Sequence, residues 1–189
     1  MTNTLHIDED KTAVLIMDYQ NDILLSVENQ RAELVLRAAD FLKQARIRKL
    51  KVIYVCVGFR EAYPEVDVQN IMFATIKKNQ KLVIGTQGAD IHADIKPQKN
   101  EIVIVKRRVN AFYGTDLEIN LRASGIDTLV MFGVSTGGVV LSTLREAADR
   151  DYRCIIIKDL CADKDESVHE CLTEKVFVRQ ASVIAADDF

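Results

Sequence analysis

The sequence predicts an α/β layered domain in which helices cover both faces of a parallel β-sheet. Apolar runs of strand length alternate with longer segments of helical periodicity, which is the pattern of successive βαβ units. The chain has 189 residues, 48% of them hydrophobic, enough for one substantial core, and no shift of composition marks a second one. A single domain over residues 1–189 is therefore expected.

The elements follow in order. Residues 12–18 (TAVLIMD) read as the first strand, and residues 28–48 repeat apolar side chains at helical spacing before 51–57 (KVIYVCV) return to a buried strand. Residues 58–89 are the least regular part and are expected to hold loops and shorter helices. Residues 102–106 (IVIVK) form the next short strand. Thr115 followed by Asp116, Leu117 and Glu118 has the form of a capping box, a hydroxyl and a carboxylate exchanging bonds with free backbone N–H groups, so a helix is expected from there to about Ser124, ended by Gly125. Then come a strand at 128–134 (TLVMFGV), a helix at 138–150, a strand at 153–159 (RCIIIKD), a helix from about Glu166 and a last strand near 182–185.

Composition narrows the function. Lys and Arg number 25 against 28 Asp and Glu, a formal net charge of -3, and no basic cluster interleaved with aromatics is present to track a phosphate backbone. Nucleic acid is not expected as a partner. Residues 1–11 are polar and acidic rather than basic and then apolar, and no run approaches the length that spans a bilayer, so no membrane partner and a cytoplasmic location are expected. Cys56, Cys154, Cys161 and Cys171 lack paired CxxC spacing, and His6, His92 and His169 lie far apart. Free thiols, no metal and no cofactor are the expectation.

In open parallel sheets functional groups gather beyond the carboxyl ends of the strands. Asp18 closes the run TAVLIM, where a carboxylate costs desolvation energy unless it is paired or used, and Lys106 closes IVIV. The turn Gly133, Val134, Ser135, Thr136, Gly137, Gly138 would leave backbone N–H groups free at a helix N-terminus, a place for an anion or oxyanion. Taken singly, each has a plainer use: a loop anchor, a solvated cation, a connection. Together they supply a proton carrier, a cation to tune it and an oxyanion pocket, a hydrolase-like set.

The order and wording of four segments resemble the isochorismatase-like (cysteine hydrolase) family over nearly the whole chain: 13–22 (AVLIMDYQND), 106–117 (KRRVNAFYGTDL), 125–136 (GIDTLVMFGVST) and 142–159, which ends in Asp159. The resemblance implies a three-layer α-β-α fold with a six-stranded parallel, Rossmann-like sheet, a small-molecule substrate, a homo-oligomer, and a triad of Asp, Lys and Cys. Asp18 matches the Asp, and Lys106 matches the Lys by its place six residues before Phe112. The family's Cys stands six residues after the glycine that Gly133 represents, and here that place is Val139. Valine has no lone pair with which to attack a carbonyl, so covalent thiol catalysis at this position is excluded. Of the four cysteines only Cys56, at the end of the second strand, is placed to reach the site edge.

Isochorismatases proper also lack the cysteine, keep glycine there, and cleave a vinyl ether by acid catalysis. The expectation is thus a small-molecule hydrolase acting without a cysteine nucleophile, with Asp18 as general acid or base and Lys106 as its electrostatic partner. Burial would raise the Asp18 pKa and Lys106 would lower it. Ser135, Thr136, Gly137 and Gly138 would form the anion pocket; Gln20, Asn21, Phe59, Arg60, Phe112 and Tyr113, just beyond strand ends, would shape it or orient a ligand. Arg60 suits a bidentate carboxylate contact, while Arg107 and Arg108 read most simply as a strand-edge charge pair, with the holding of an acidic loop by one of them as the alternative. The alternatives are a non-catalytic relative that binds a metabolite or a protein partner, and an oligomeric scaffold.

Overall fold

Six strands, all paired in parallel, form one sheet in the order β3-β2-β1-β4-β5-β6: β1 (Thr12–Met17), β2 (Lys51–Val57), β3 (Ile102–Lys106), β4 (Thr128–Gly133), β5 (Arg153–Ile157) and β6 (Ser182–Ile184). The computed structural model describes residues 7–189; residues 1–6, and with them His6, lie outside the described part. Helices α1 (Asn21–Leu24), α2 (Glu28–Ile47), α3 (Ile71–Lys78), α4 (Leu117–Ala123), α5 (Leu141–Asp149) and α6 (Glu166–Cys171) flank the sheet in a three-layer arrangement. This is the expected α/β architecture.

Burial explains the apolar runs. Every residue of β1 and β4 is buried, because each is an inner strand with helices over both faces. β3 lies at the edge, and Val103 and Val105 on it stay exposed. α2 buries Leu34, Val35, Ala38, Phe41, Leu42 and Ala45, the helical stripe that its sequence displays. A second, smaller cluster of Val57, Phe59, Tyr63, Phe73 and Leu82 gives the irregular 58–89 segment a core of its own. There Asn70 caps α3, its side chain accepting from the Phe73 N–H at 3.2 Å.

The chain leaves β1 toward β2 and β3 on one side and returns to place β4, β5 and β6 on the other, so the switch point lies between β1 and β4. These two strands pair along their whole length, from Thr12 opposite Thr128 to Met17 opposite Gly133. Gly133 is required there: a Cβ would stand 2.6 Å from the Met17 carbonyl oxygen.

Three local expectations are corrected. Thr115 Oγ1 accepts from the Leu117 N–H at 3.2 Å, but Glu118 does not reach back to complete a capping box. Its carboxylate accepts instead from Arg122 Nε at 2.8 Å and the Tyr152 hydroxyl at 3.2 Å, and a guanidinium is the stronger donor. Gly125, at φ +67°, follows that helix as expected. The helix after β4 begins earlier than 138, with a wide π-type turn over Thr136–Val140 that runs into α5. The fifth strand ends at Ile157, because Lys158–Leu160 turn into a 3-10 helix where Asp159 accepts from Arg37 and from the Ala186 N–H.

Candidate active site

Asp18 is the first residue beyond β1 and adopts a left-handed conformation, φ +57°, with its N–H donated to the Val55 carbonyl at 2.8 Å. That conformation is uncommon for a residue with a Cβ and turns the carboxyl away from the strand. Lys106 pairs with Val57 in the register of β3 on β2, so its side chain crosses the end of β2 to arrive at Asp18. Lys106 Nζ donates to Asp18 Oδ2 at 2.8 Å and to the Arg108 carbonyl at 3.2 Å. Both side chains are almost wholly buried, at 2% and 7% exposure.

The other carboxylate oxygen, Asp18 Oδ1, is buried with no hydrogen-bond partner among the described residues. Burial pushes the Asp18 pKa above its ordinary 3.8, and the opposing charge and hydrogen bond of Lys106, with the nearby Val57 backbone N–H, do not cancel that rise.

The turn after β4 is held from the opposite side. The Val134–Ser135 peptide bond is cis, and Val134 bridges to Ala162. The Thr136 N–H donates to the Ala162 carbonyl at 2.9 Å and the Gly137 N–H to Asp163 Oδ2 at 2.7 Å, while Gly138 and Val140 donate to the Ser135 carbonyl at 3.1 and 3.3 Å. Thr136 Oγ1 lies 2.9 Å from His169 Nδ1. The expectation that this turn leaves its amides free is therefore not met at Thr136, Gly137 and Gly138. The acceptors come partly from the segment after β5, which local spacing does not reveal.

Asp18, Lys106, Ser135, Gly138 and Val139 line one pocket of about 180 Å³. Another part of its lining is mostly apolar, Ile23, Met72, Phe73, Ile76, Leu82 and Val109 with the Ser26 hydroxyl among them. The sequence reading missed that part. The spacing of Met72, Phe73 and Ile76 within an otherwise polar stretch was the signal that could have found it.

The remaining candidates lie elsewhere. Gln20 locks the ends of β1 and β2, donating to the Val57 carbonyl and accepting from the Val57 N–H, both at 2.8 Å. Asn21 donates to the Gln87 carbonyl at 2.7 Å, and Phe59 is fully buried in the second cluster. The Arg60 side chain is 68% exposed and pairs with Glu65 at 2.7 Å. Phe112 stacks on Tyr152, whereas Tyr113 is exposed. Thr136 and Gly137 are engaged by His169 and Asp163. Arg107 pairs with Glu65 at 3.2 Å, and Arg108 donates to the Glu65 carbonyl, so both hold that acidic residue. Cys56 lines a separate pocket with Gln20, Ile84, Val103 and Val105, and burial pushes its thiol up to about 12. Among the described residues no helix is long and apolar enough to cross a membrane.

Comparison with known proteins agrees with this architecture. Residues 12–188 match the isochorismatase domain family. An uncharacterized isochorismatase family protein of Bacillus subtilis (strain 168) is 30% identical over 189 residues, 100% of this chain and 97% of its own length. A ureidoacrylate amidohydrolase of Methylorubrum extorquens is 28% identical over 173 residues, 80% of this chain and 70% of its own length. The crystal structure of a cysteine hydrolase from Pseudomonas syringae pv. phaseolicola 1448A superposes with a TM-score of 0.87 over 96% of this chain and 92% of that one, and at 21% identity this likeness concerns the fold. With the family matched over almost its full length, the chain belongs to the isochorismatase family.

Proposed function

We propose that this protein is a small-molecule hydrolase that works without a thiol nucleophile, with Asp18 as general acid and base, Lys106 as its electrostatic partner and Val139 at the family's cysteine position. One observation carries the reading: Asp18, with one buried oxygen on Lys106 and the other without a partner among the described residues, lines the same pocket as Val139. A buried polar atom left unpaired is costly, and a site that keeps one is prepared for a ligand or a transferred proton. A carboxyl whose pKa is raised is also the better proton carrier near neutral pH.

Relatives named as amidohydrolases favour a C–N bond as the target, although the same groups serve for a C–O bond. For an amide, water attacks the carbonyl carbon while Asp18 takes its proton. The tetrahedral carbon then expels the nitrogen, which receives that proton from Asp18 as the C–N bond breaks, leaving acid, amine and the original carboxylate. Lys106 keeps the buried pair near neutrality and has a third N–H to offer the substrate oxygen. Ser135, on the same wall, adds a hydroxyl.

The test is turnover of a panel of small amides and enol ethers by the natural protein beside Asp18→Asn. Loss of general acid–base catalysis lowers kcat by about 10²–10⁴-fold. Undiminished activity in the variant rejects the assignment.

A second reading, a relative that binds a metabolite without converting it, draws on the occupied amides of Thr136, Gly137, Gly138 and Val140, which do not await an oxyanion. A compound that binds at the Asp18 pocket and is recovered unchanged after long incubation would favour it.

A further inference from the structure

We infer that the Asp18 pocket selects a small, uncharged molecule with a branched apolar body, and discriminates against one whose far end carries a carboxylate. The inference rests on the reading of this pocket as the substrate site.

The lining carries the argument. Among the described residues Lys106 is the single basic side chain on it; its charge is balanced by Asp18, and two of its three N–H groups are donated to Asp18 Oδ2 and the Arg108 carbonyl. Ile23, Met72, Phe73, Ile76, Leu82 and Val109 present hydrocarbon and sulfur with no charged group, and the Ser26 hydroxyl among them is donated to the Ile23 carbonyl at 2.7 Å. An anion seated against these side chains would lose hydration without gaining a counter-charge, and would stand in the same small volume as the Asp18 carboxylate. The arginines nearby do not relieve this. Arg60 and Arg107 are bound to Glu65, and the Arg108 guanidinium sits 5.8 Å from the centroid of Phe73 with one nitrogen donated to the Glu65 and Arg107 carbonyls; none of the three lines the pocket.

At the polar end the requirement is the reverse. Asp18 Oδ1 lacks a donor and Lys106 keeps one N–H, so a group that both donates and accepts, such as a primary amide, satisfies the two together. At about 180 Å³ the pocket admits a compact body beyond that group. Val139 adds a branched apolar surface beside it, which a smaller residue would not.

Binding separates this inference from the catalytic one, because it does not require turnover. Isocaproamide and succinamate have the same chain length and branching and differ in an isopropyl group against a carboxylate. Calorimetric titration of the intact protein at neutral pH is expected to show isocaproamide at least about ten-fold tighter. Replacing a wall residue, Ile76→Arg, is expected to reverse that preference, with the melting temperature as the check that the fold persists. Equal affinity for the two amides, tighter binding of succinamate, or binding of neither overturns the inference. Selective binding of isocaproamide without hydrolysis would instead sustain it and reject the catalytic reading.

Discussion

Lys106 and Asp18 stand 88 residues apart in sequence and 2.8 Å apart in space, and the pair is closed to solvent on nearly every side. Breaking such a pair from one side strands the other group. Lys106→Met leaves a buried carboxyl that escapes by holding its proton, so the Asp18 pKa rises further. Asp18→Asn leaves a buried ammonium against a neutral amide. Each is expected to destabilise by about 3–5 kcal/mol, and the double variant by clearly less than their sum, because it removes both charges. Urea unfolding of the three variants measures the coupling.

The pH dependence of stability follows from the raised Asp18 pKa. The folded state binds this proton more tightly than the unfolded chain, so the contribution is full below 3.8 and is lost as pH rises through the higher folded value. Glu65 acts with the opposite sign: its pKa is lowered, burial opposing the hydrogen bonds that hold its charged form, so its contribution is present above 4.5 and is lost as pH falls through the folded value. Asp18→Asn should therefore remove a component that weakens the protein with rising pH in mildly acid solution. Unfolding midpoints of wild type and variant, taken across that window, are compared by difference. A difference that is flat with pH would contradict the raised pKa.

Activity gives a separate titration of the same group. With Asp18 acting first as a base, kcat/KM rises on the acid side as the carboxyl ionises, with a midpoint above 3.8. An acid limb at or below the ordinary aspartate value would place the base elsewhere.

Much of this geometry was written in the sequence, for reasons that differ by residue. Strands β2 and β3 coincide with the apolar runs at 51–57 and 102–106; for β2 the reason is that a buried parallel strand must be apolar at nearly every position, whereas edge strand β3 keeps its apolar run with Val103 and Val105 exposed. Asp18 and Lys106 were visible as charges that end such runs, and the parallel topology brings their strand ends to one edge. What local spacing could not carry were partners chosen over long range. Glu118 has the right spacing for a capping box but turns to Arg122 and Tyr152. Gln20 stands beside Asp18 yet serves the backbone of Val57, and Phe59 lies at a strand end yet fills a second core. The Thr136 and Gly137 amides looked free because their acceptors, the Ala162 carbonyl and Asp163, come from another βα connection.

Gly133 gives a prediction that joins the sheet to the site. Adding a Cβ there drives it to 2.6 Å from the Met17 carbonyl and 2.9 Å from the Met17 Cβ, contacts that backbone cannot yield without parting β4 from β1. Gly133→Ala is expected to destabilise by about 1–3 kcal/mol, the usual cost of overpacking. It should also weaken any activity by more than the folded fraction accounts for, since Asp18 follows Met17 directly. Activity per folded molecule, from stability and turnover measured on one preparation, checks this.

Val139→Cys tests whether the pocket offers the setting that a thiol nucleophile needs. Val139 is buried and shares the pocket with Asp18 and Lys106, so a thiol there would have a carboxylate to accept its proton and an ammonium beside it. In the natural protein Cys56, Cys154 and Cys161 are buried, with thiols pushed up to about 12, whereas Cys171 is exposed. Brief iodoacetamide treatment near neutral pH, followed by peptide mapping, should therefore label Cys171 in both proteins and position 139 in the variant as well. If that thiol also opens small amides by nucleophilic attack, the variant gains an amidase activity that iodoacetamide abolishes. Absence of labelling at position 139 would mean that Asp18 and Lys106 do not activate a group there, and would favour the binding reading over the catalytic one.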